Sequence, residues 1–109
     1  MSFAEIKSMD EFNHIMENNN KFFLLKNSTT CPISHEAYKE TENFATENEH
    51  VPVFYLHVQE SRNLSNEIAE RFSIKHESPQ AILFQLGEVV WHESHWSITN
   101  KQLIEAWEK

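Results

Sequence analysis

The 109-residue sequence contains one cysteine, one glycine and three prolines. With a single cysteine, a chain can form neither an internal disulfide nor a zinc or iron–sulfur site made only of cysteines. No hydrophobic run approaches the roughly 18 residues of a membrane span, and the first residues lack the pattern of a secretory signal. We therefore expect a cytoplasmic protein without a membrane partner.

Basic residues are also scarce. Nine Lys and Arg stand against seventeen Asp and Glu, for a formal net charge of −8. Non-specific nucleic-acid binding depends on basic patches, so we expect no nucleic-acid partner. Hydrophobic residues, in contrast, make up 39% of the chain and include eight Phe and three Trp. This composition and length predict one folded domain over residues 1–109.

Hydrophobic patterning predicts alternating strands and helices. Apolar runs typical of strands buried on both faces occur at 22–25 and 81–84, and a third strand candidate, at 53–58, is apolar apart from His57. Helical spacing and start signals predict helices after Ser8, from Pro32 to about Ala45, over 64–72 and after Thr99. The short gap at Gly87 predicts an antiparallel hairpin, and a short edge strand fits 3–6. We expect an α/β fold with a mixed four- to five-stranded sheet and helices on both faces.

Cys31 lies between a buried strand and a proline that begins a helix. Because proline is favoured at the first helical position, Pro32 places the thiol at a helix N-terminus. Free backbone N–H groups and the helix dipole stabilise a thiolate there. A lone cysteine is usually a small buried hydrophobe, but the polar neighbours at 28–30 and Ser34 favour a reactive thiol.

The string TCPIS at residues 30–34, which follows a buried strand, resembles the active-site turn of the thioredoxin superfamily in a monothiol form. Ser78-Pro79 is similar to the cis-proline of that superfamily. Together with the chain length and the Ser-Pro-Gln sequence, TCPIS closely resembles the monothiol bacilliredoxin family over residues 3–107. This resemblance implies a thioredoxin-like fold, a role in redox homeostasis in the bacterial cytoplasm, and bacillithiol as co-substrate.

The resemblance also implies an activity, the removal of bacillithiol from client proteins that carry it as a mixed disulfide. The Cys31 thiolate would attack the bacillithiol sulfur, release the client thiol and keep bacillithiol in a mixed disulfide of its own. Thr30, Pro32 and Ser34 complete the active-site turn without a second thiol. Free bacillithiol or another redoxin would therefore have to resolve the adduct, and the Ser34 hydroxyl could donate to the thiolate.

A lowered pKa of Cys31 would assist the second step more than the first. Lowering a thiol pKa from about 8.5 to about 6.5 ionises most of it near neutral pH. Nucleophilicity falls at the same time with a Brønsted slope of about 0.4–0.5, which cancels most of this gain. Resolution of the adduct, however, is faster when Cys31 is a good leaving group. A thiol that titrates above about 8 would contradict this interpretation.

Basic residues near the cysteine are candidate ligands for the carboxylates of bacillithiol. Lys75 and His76 shortly precede Ser78, and Lys26 lies in the strand before the cysteine. We interpret these three as binding the malate group, although they could also be ordinary surface charges. A cis bond before Pro79 would leave the backbone of Ser78 able to pair with an extended client segment.

Other residues limit the functional classes. Leu25 stands where thioredoxins carry a buried acid, and residues 95–98 replace the Gly-Gly pair with which glutaredoxins hold glutathione. On a strand, His92 and His95 would point to opposite faces, so chelation would need a turn between them, and we expect no metal site. We expect Trp96 to pack against the protein rather than to be exposed, as do Trp91 and Trp107.

Three alternatives stay open beside the bacilliredoxin interpretation. The first is a glutaredoxin-like protein that uses another small thiol. The second is a non-catalytic thioredoxin-fold module for binding or redox sensing, in which Cys31 accepts one small thiol and stops. In the third, Ser34 replaces a natural cysteine in a trapping variant. A turnover assay distinguishes the second alternative from an enzyme, because a binding module would accept one equivalent of small thiol and stop.

Overall fold

Five strands form one mixed sheet in the computed structural model, which describes residues 3–109. The strands are β1 (Phe3–Glu5), β2 (Lys21–Asn27), β3 (Val53–His57), β4 (Gln80–Gln85) and β5 (Glu88–Ser94). The helices are α1 (Met9–Asn18), α2 (Pro32–Glu47), α3 (Arg62–Arg71) and α4 (Asn100–Glu108), with a 3-10 turn at His95–Ser97. No helix within residues 3–109 combines the length and the hydrophobicity needed to cross a membrane.

The strand order in the sheet is β1-β3-β2-β4-β5. The first two pairings, β1 with β3 and β3 with β2, are parallel. The other two, β2 with β4 and β4 with β5, are antiparallel. The predicted mixed α/β sheet with a terminal hairpin is therefore confirmed. Strand β2 is longer than its apolar run because the backbones of Lys21 and Lys26 also pair with β4.

Two of the helices begin at the predicted capping residues. The Ser8 hydroxyl accepts a hydrogen bond from the Glu11 backbone N–H, with N and Oγ 3.2 Å apart. The Thr99 hydroxyl likewise accepts a hydrogen bond from the Gln102 backbone N–H, with N and Oγ1 3.1 Å apart. Each hydroxyl satisfies a donor that lacks a partner within its helix. The local sequence therefore determines where α1 and α4 begin.

Each face of the sheet carries its own hydrophobic core. One core joins Phe22 and Leu24 of β2 to residues of α1 and α3, including Phe12 and Ile68. The other joins Phe23 and Leu25 to α2 and α4, with Phe44 and Leu103 among its residues. Successive side chains of a strand point to opposite faces. The continuous apolar run of β2 follows from helices covering both faces of the sheet, as predicted.

The β4–β5 hairpin turns through Leu86 and Gly87, which have φ values of 51° and 80°. Positive φ at both central residues is characteristic of a type I′ turn, in which asparagine is favoured at the first position. The Leu86 side chain is 74% exposed. We expect Leu86→Asn to raise the free energy of unfolding by about 0.5–1 kcal/mol, measured by urea denaturation.

Val90→Asn is the matched control for this turn substitution. Val90 is also an exposed hydrophobic residue, at 51%, but it lies within β5 and not in the turn. We expect its replacement to be neutral or destabilising, because asparagine is unfavourable in strands. If the two asparagine variants change the free energy of unfolding equally, the backbone conformation of Leu86 does not explain the effect of Leu86→Asn.

Candidate functional site

Three chain segments meet at one edge of the sheet. Strands β2 and β4 are antiparallel, with Lys26 opposite Gln80, so the loop after β2 lies beside the residues before β4. The Ser78–Pro79 peptide bond is cis, as the resemblance implied. The carbonyl of Pro79 accepts a hydrogen bond from the His95 N–H at 3.0 Å. This places the 3-10 turn at the same edge as Cys31 and Pro79.

Cys31 is the N-cap residue of α2, and Pro32 occupies the first helical position as predicted. The thiol is half-buried and makes no capping hydrogen bond. Its pKa is lowered, chiefly by the backbone N–H of Ser34 and then by that of Ile33, while desolvation acts in the opposite direction. The Ser34 hydroxyl makes the smallest contribution to the lowered pKa. The helix start therefore stabilises the thiolate mainly through backbone donors.

The Ser34 side chain is fully buried, and its Oγ has no hydrogen-bond partner within residues 3–109. We expect Ser34→Ala to raise the pKa of Cys31 only slightly, because the Ser34 and Ile33 N–H groups remain. The pH dependence of iodoacetamide alkylation measures this pKa. Ser61→Ala, another buried serine, is the control. An unchanged titration in Ser34→Ala would show that the hydroxyl does not interact with the thiolate.

The side chain of Gln59 forms hydrogen bonds to the loop that precedes the cysteine. Its side-chain oxygen accepts from the Thr29 N–H at 3.1 Å, and its side-chain nitrogen donates to Ser28 Oγ at 2.6 Å and to Thr30 Oγ1 at 3.2 Å. Three consecutive loop residues are thus held by one side chain. Gln59 was not predicted as a site residue because it lies about 30 positions away from the loop along the chain.

The three predicted ligand-binding cations lie in different environments. The Lys26 side chain is 0% exposed, and its Nζ donates to the Ser65 carbonyl at 3.0 Å. Burial lowers the pKa of Lys26 to about 8. Burial, and then the nearby Lys26 charge, also lower the pKa of His76, which favours the neutral ring. Lys26 is thus enclosed and His76 is half-buried, whereas Lys75 is exposed. Binding of the malate group by these three residues stays a prediction.

Trp96 is 65% exposed, so the expectation that it packs against the protein is wrong. Strand β5 ends at Ser94, and the 3-10 turn that follows no longer alternates between the two faces of the sheet. Trp91 and Trp107 do pack against the core, as expected. No group of three or more His, Cys, Asp or Glu within the described residues is arranged to hold a metal ion.

Two cavities flank the cysteine turn. One has a volume of about 240 Å³ and is lined by Asn27, Ser28, Thr29, Cys31, His35, Tyr38 and His57. The other, of about 390 Å³, is lined by Ile33, Glu36, Ala37, Glu40, His95, Trp96, Ile98 and Thr99. The parallel pairing of β2 with β3 brings Asn27 opposite His57. This pair was not predicted, although parallel pairing of the predicted strands implies that their carboxyl ends meet at one edge.

Comparison with known proteins identifies relatives of this chain. The family model described as "Monothiol bacilliredoxin BrxC" matches residues 4–103. One solved structure, of a protein proposed to be an oxidoreductase with a thioredoxin fold, is 41% identical with a TM-score of 0.92, over 99% of this chain and 95% of that one.

Thioredoxin structures at lower identity show the same fold. Oxidised thioredoxin from Plasmodium falciparum is 17% identical with a TM-score of 0.77, over 98% of this chain and 96% of that one. Mitochondrial thioredoxin 3 from Saccharomyces cerevisiae is 16% identical with a TM-score of 0.74, over 95% and 92%. The thioredoxin-like fold expected from the sequence is confirmed.

Proposed function

This chain belongs to the monothiol bacilliredoxin family, and from that premise we propose that it removes bacillithiol from client proteins in the cytoplasm through Cys31. Family and fold make it a thioredoxin-fold protein of the oxidoreductase type. One observation carries the proposal: a half-buried thiol with a lowered pKa at the start of α2, at the sheet edge that also holds cis-Pro79. The single cysteine restricts the chain to monothiol chemistry.

The proposed reaction is a pair of thiol–disulfide exchanges. The Cys31 thiolate attacks the bacillithiol sulfur of the client mixed disulfide, a new disulfide forms to Cys31, and the bond to the client sulfur breaks. The client leaves as a thiolate and takes a proton from solvent, so the number of disulfides is unchanged. Free bacillithiol, or the thiol of another redoxin, then attacks the adduct. In this second step the lowered pKa makes Cys31 a good leaving group.

The client is proposed to bind on the cis-proline side of the turn. There the Ser78 backbone lies two residues before β4 begins, where an extended client segment could pair with it. Trp96 and Ile33 line the neighbouring cavity, where Trp96 is exposed and Ile33 is half-buried. Lys75 is the exposed cation of this loop and would meet a bacillithiol carboxylate only if the small thiol lay on this side of the turn. Thr30 and Pro32, both exposed, border the thiol.

Intact-mass spectrometry of the protein mixed with a bacillithiol-capped client tests this function. We expect Cys31 to gain the mass of one bacillithiol while the client returns to its free thiol. Added bacillithiol should then remove the adduct and allow further turnover. A protein that accepts one equivalent and is not regenerated by bacillithiol or a redoxin would be a binding or sensing module. A glutathione-capped client processed equally well would instead indicate a glutaredoxin-like protein.

A further inference from the structure

The 240 Å³ cavity beside Cys31 has no part in the two exchanges described above, although the thiol itself forms part of its wall. It lies between the β2–α2 loop, the first turns of α2 and the end of β3. A small thiol joined to Cys31 can therefore extend from the sulfur directly into this cavity. Its volume is too small for a whole drug-sized ligand, for which pockets of about 300 Å³ or more are usual. It can hold one part of such a molecule.

A buried amide at this cavity has an unused hydrogen-bonding atom. Asn27 is only 6% exposed, and its Oδ1 is buried without a hydrogen-bond partner among the described residues. Buried polar atoms in native proteins are nearly always hydrogen-bonded. The amide is therefore incomplete without a donor supplied from outside the described residues.

The same amide orients a histidine at the cavity. Asn27 Nδ2 lies 3.1 Å from His57 Nδ1, and donation along this contact leaves the imidazole proton on Nε2. The Tyr55 ring packs against the imidazole edge-on, with centroids 5.4 Å apart. His57 is thus held in position with one nitrogen engaged, and Nε2–H is left as a donor for a ligand oxygen.

Charge distinguishes the two cavities beside the turn. The cavity with His57 contains a second histidine, His35, and no Asp or Glu among its lining residues. The cavity on the Trp96 side contains Glu36 and Glu40. In a chain of net charge −8, an anionic group is repelled less where no carboxylate lines the wall. The first cavity is therefore the better place for a carboxylate.

We propose that the cavity lined by Asn27 and His57 is a binding subsite for the hydroxyl- and carboxylate-bearing part of a small thiol, with these two residues setting ligand specificity. The identification of that thiol as bacillithiol rests on the proposed function. In the adduct, the small thiol then extends from Cys31 into the cavity that contains His57, and the client binds on the Trp96 side. In this arrangement, the small thiol and the client occupy opposite sides of Cys31 when its thiolate attacks the disulfide that joins them.

Nuclear magnetic resonance tests the subsite without any reaction. The probe is S-methyl bacillithiol, which cannot exchange, added to the Cys31→Ser protein. We expect shifts of the Asn27 side-chain amide and the His57 ring, and smaller shifts with S-methyl glutathione. Shifts confined to Lys75 and Trp96, or no shift up to millimolar ligand, would overturn the subsite.

Kinetics of the transfer provide the second test. His57→Phe keeps an aromatic ring beside Tyr55 but removes the donor, and we expect a tenfold to hundredfold loss of transfer rate with a bacillithiol-capped client. His57→Gln should restore part of the rate. His92→Phe, which replaces an exposed histidine of β5, is the matched control and should behave as wild type. An equal loss with 2,2′-dithiodipyridine would mean that His57 acts on the thiol itself, which overturns the subsite.

The two proposals fail in different ways. If wild-type protein transfers no bacillithiol, the proposed function fails whatever the histidine variants do. The subsite is still tested in that case, because the methylated ligands report binding without transfer. If transfer is fast and His57→Phe leaves it unchanged, the function stands and the subsite is wrong.

Discussion

Cys31→Ser is expected to lower bacillithiol transfer by about a thousandfold or more while leaving the fold intact. A serine hydroxyl is not ionised near neutral pH, and the chain has no other thiol to replace the nucleophile. The cysteine side chain makes no capping hydrogen bond at the start of α2. Serine is among the preferred N-cap residues, so the variant should unfold at a temperature no lower than the wild type.

Transfer is measured as client thiol released, by intact mass, and stability by thermal unfolding. Thr30→Ser is the control, since it changes an exposed residue of the same turn and keeps the thiol. If Cys31→Ser retained transfer, the nucleophile would be another group. If it failed to fold, a structural role would be assigned to Cys31, and its inactivity would no longer support the proposed reaction.

Lys26→Met is expected to raise the free energy of unfolding at pH 7 by as much as about 3 kcal/mol. Burial lowers the pKa of Lys26 from 10.5 to about 8, and each unit corresponds to about 1.4 kcal/mol. Methionine has a similar length and carries no charge to desolvate. In the variant, the Ser65 carbonyl still accepts its hydrogen bond within α3. The contact between Ser65 Oγ and His76 Nδ1, 3.3 Å long, does not involve Lys26.

The same shift predicts a pH dependence of stability. At pH values between about 8 and 10.5 the unfolded chain binds more protons at Lys26 than the native protein, so stability rises with pH in this window. Below about pH 8 lysine is protonated in both states, and the full cost of burying the charge is present. The stability advantage of Lys26→Met should therefore be constant from about pH 7 to about pH 8 and shrink above that range, while at lower pH the loss of the Lys26 charge also changes the titration of His76.

Urea denaturation of wild type and Lys26→Met across this pH range measures the difference in their free energies of unfolding. The titration of groups remote from Lys26, such as Tyr38, cancels in that difference. Lys75→Met is the matched control, because Lys75 is exposed. We expect this variant to change stability by less than about 0.5 kcal/mol. Should Lys26→Met be less stable than wild type at pH 7, the hydrogen bond from the ammonium to Ser65 outweighs the cost of its burial.

Local sequence signals account for the secondary structure and for the position of the nucleophile. Ser8 and Thr99 mark helix starts because their hydroxyls satisfy the first free N–H groups. Pro32 begins α2 and so places Cys31 among backbone donors. These effects depend on residues only a few positions apart, and for that reason they can be recognised in the sequence.

The environments of several site residues depend on contacts between distant segments. Lys26 ends an apolar run, and only the packing of α3 and the His76 loop over it shows that its ammonium is buried. Trp96 resembles the core tryptophans in sequence but lies in a turn after β5 has ended. Sequence patterns record polarity and spacing along the chain, not which segments cover a side chain.

The sequence by itself determined the α/β class, the order of the elements, the monothiol chemistry of Cys31 and the turn that presents it. Tertiary structure alone decided that Lys26 is enclosed, that Trp96 is exposed and that Asn27 meets His57 beside the thiol. The first group follows from capping, proline geometry and hydrophobic periodicity, which act within a few residues. The second follows from strand pairing and helix packing, which bring together residues about 30 or more positions apart.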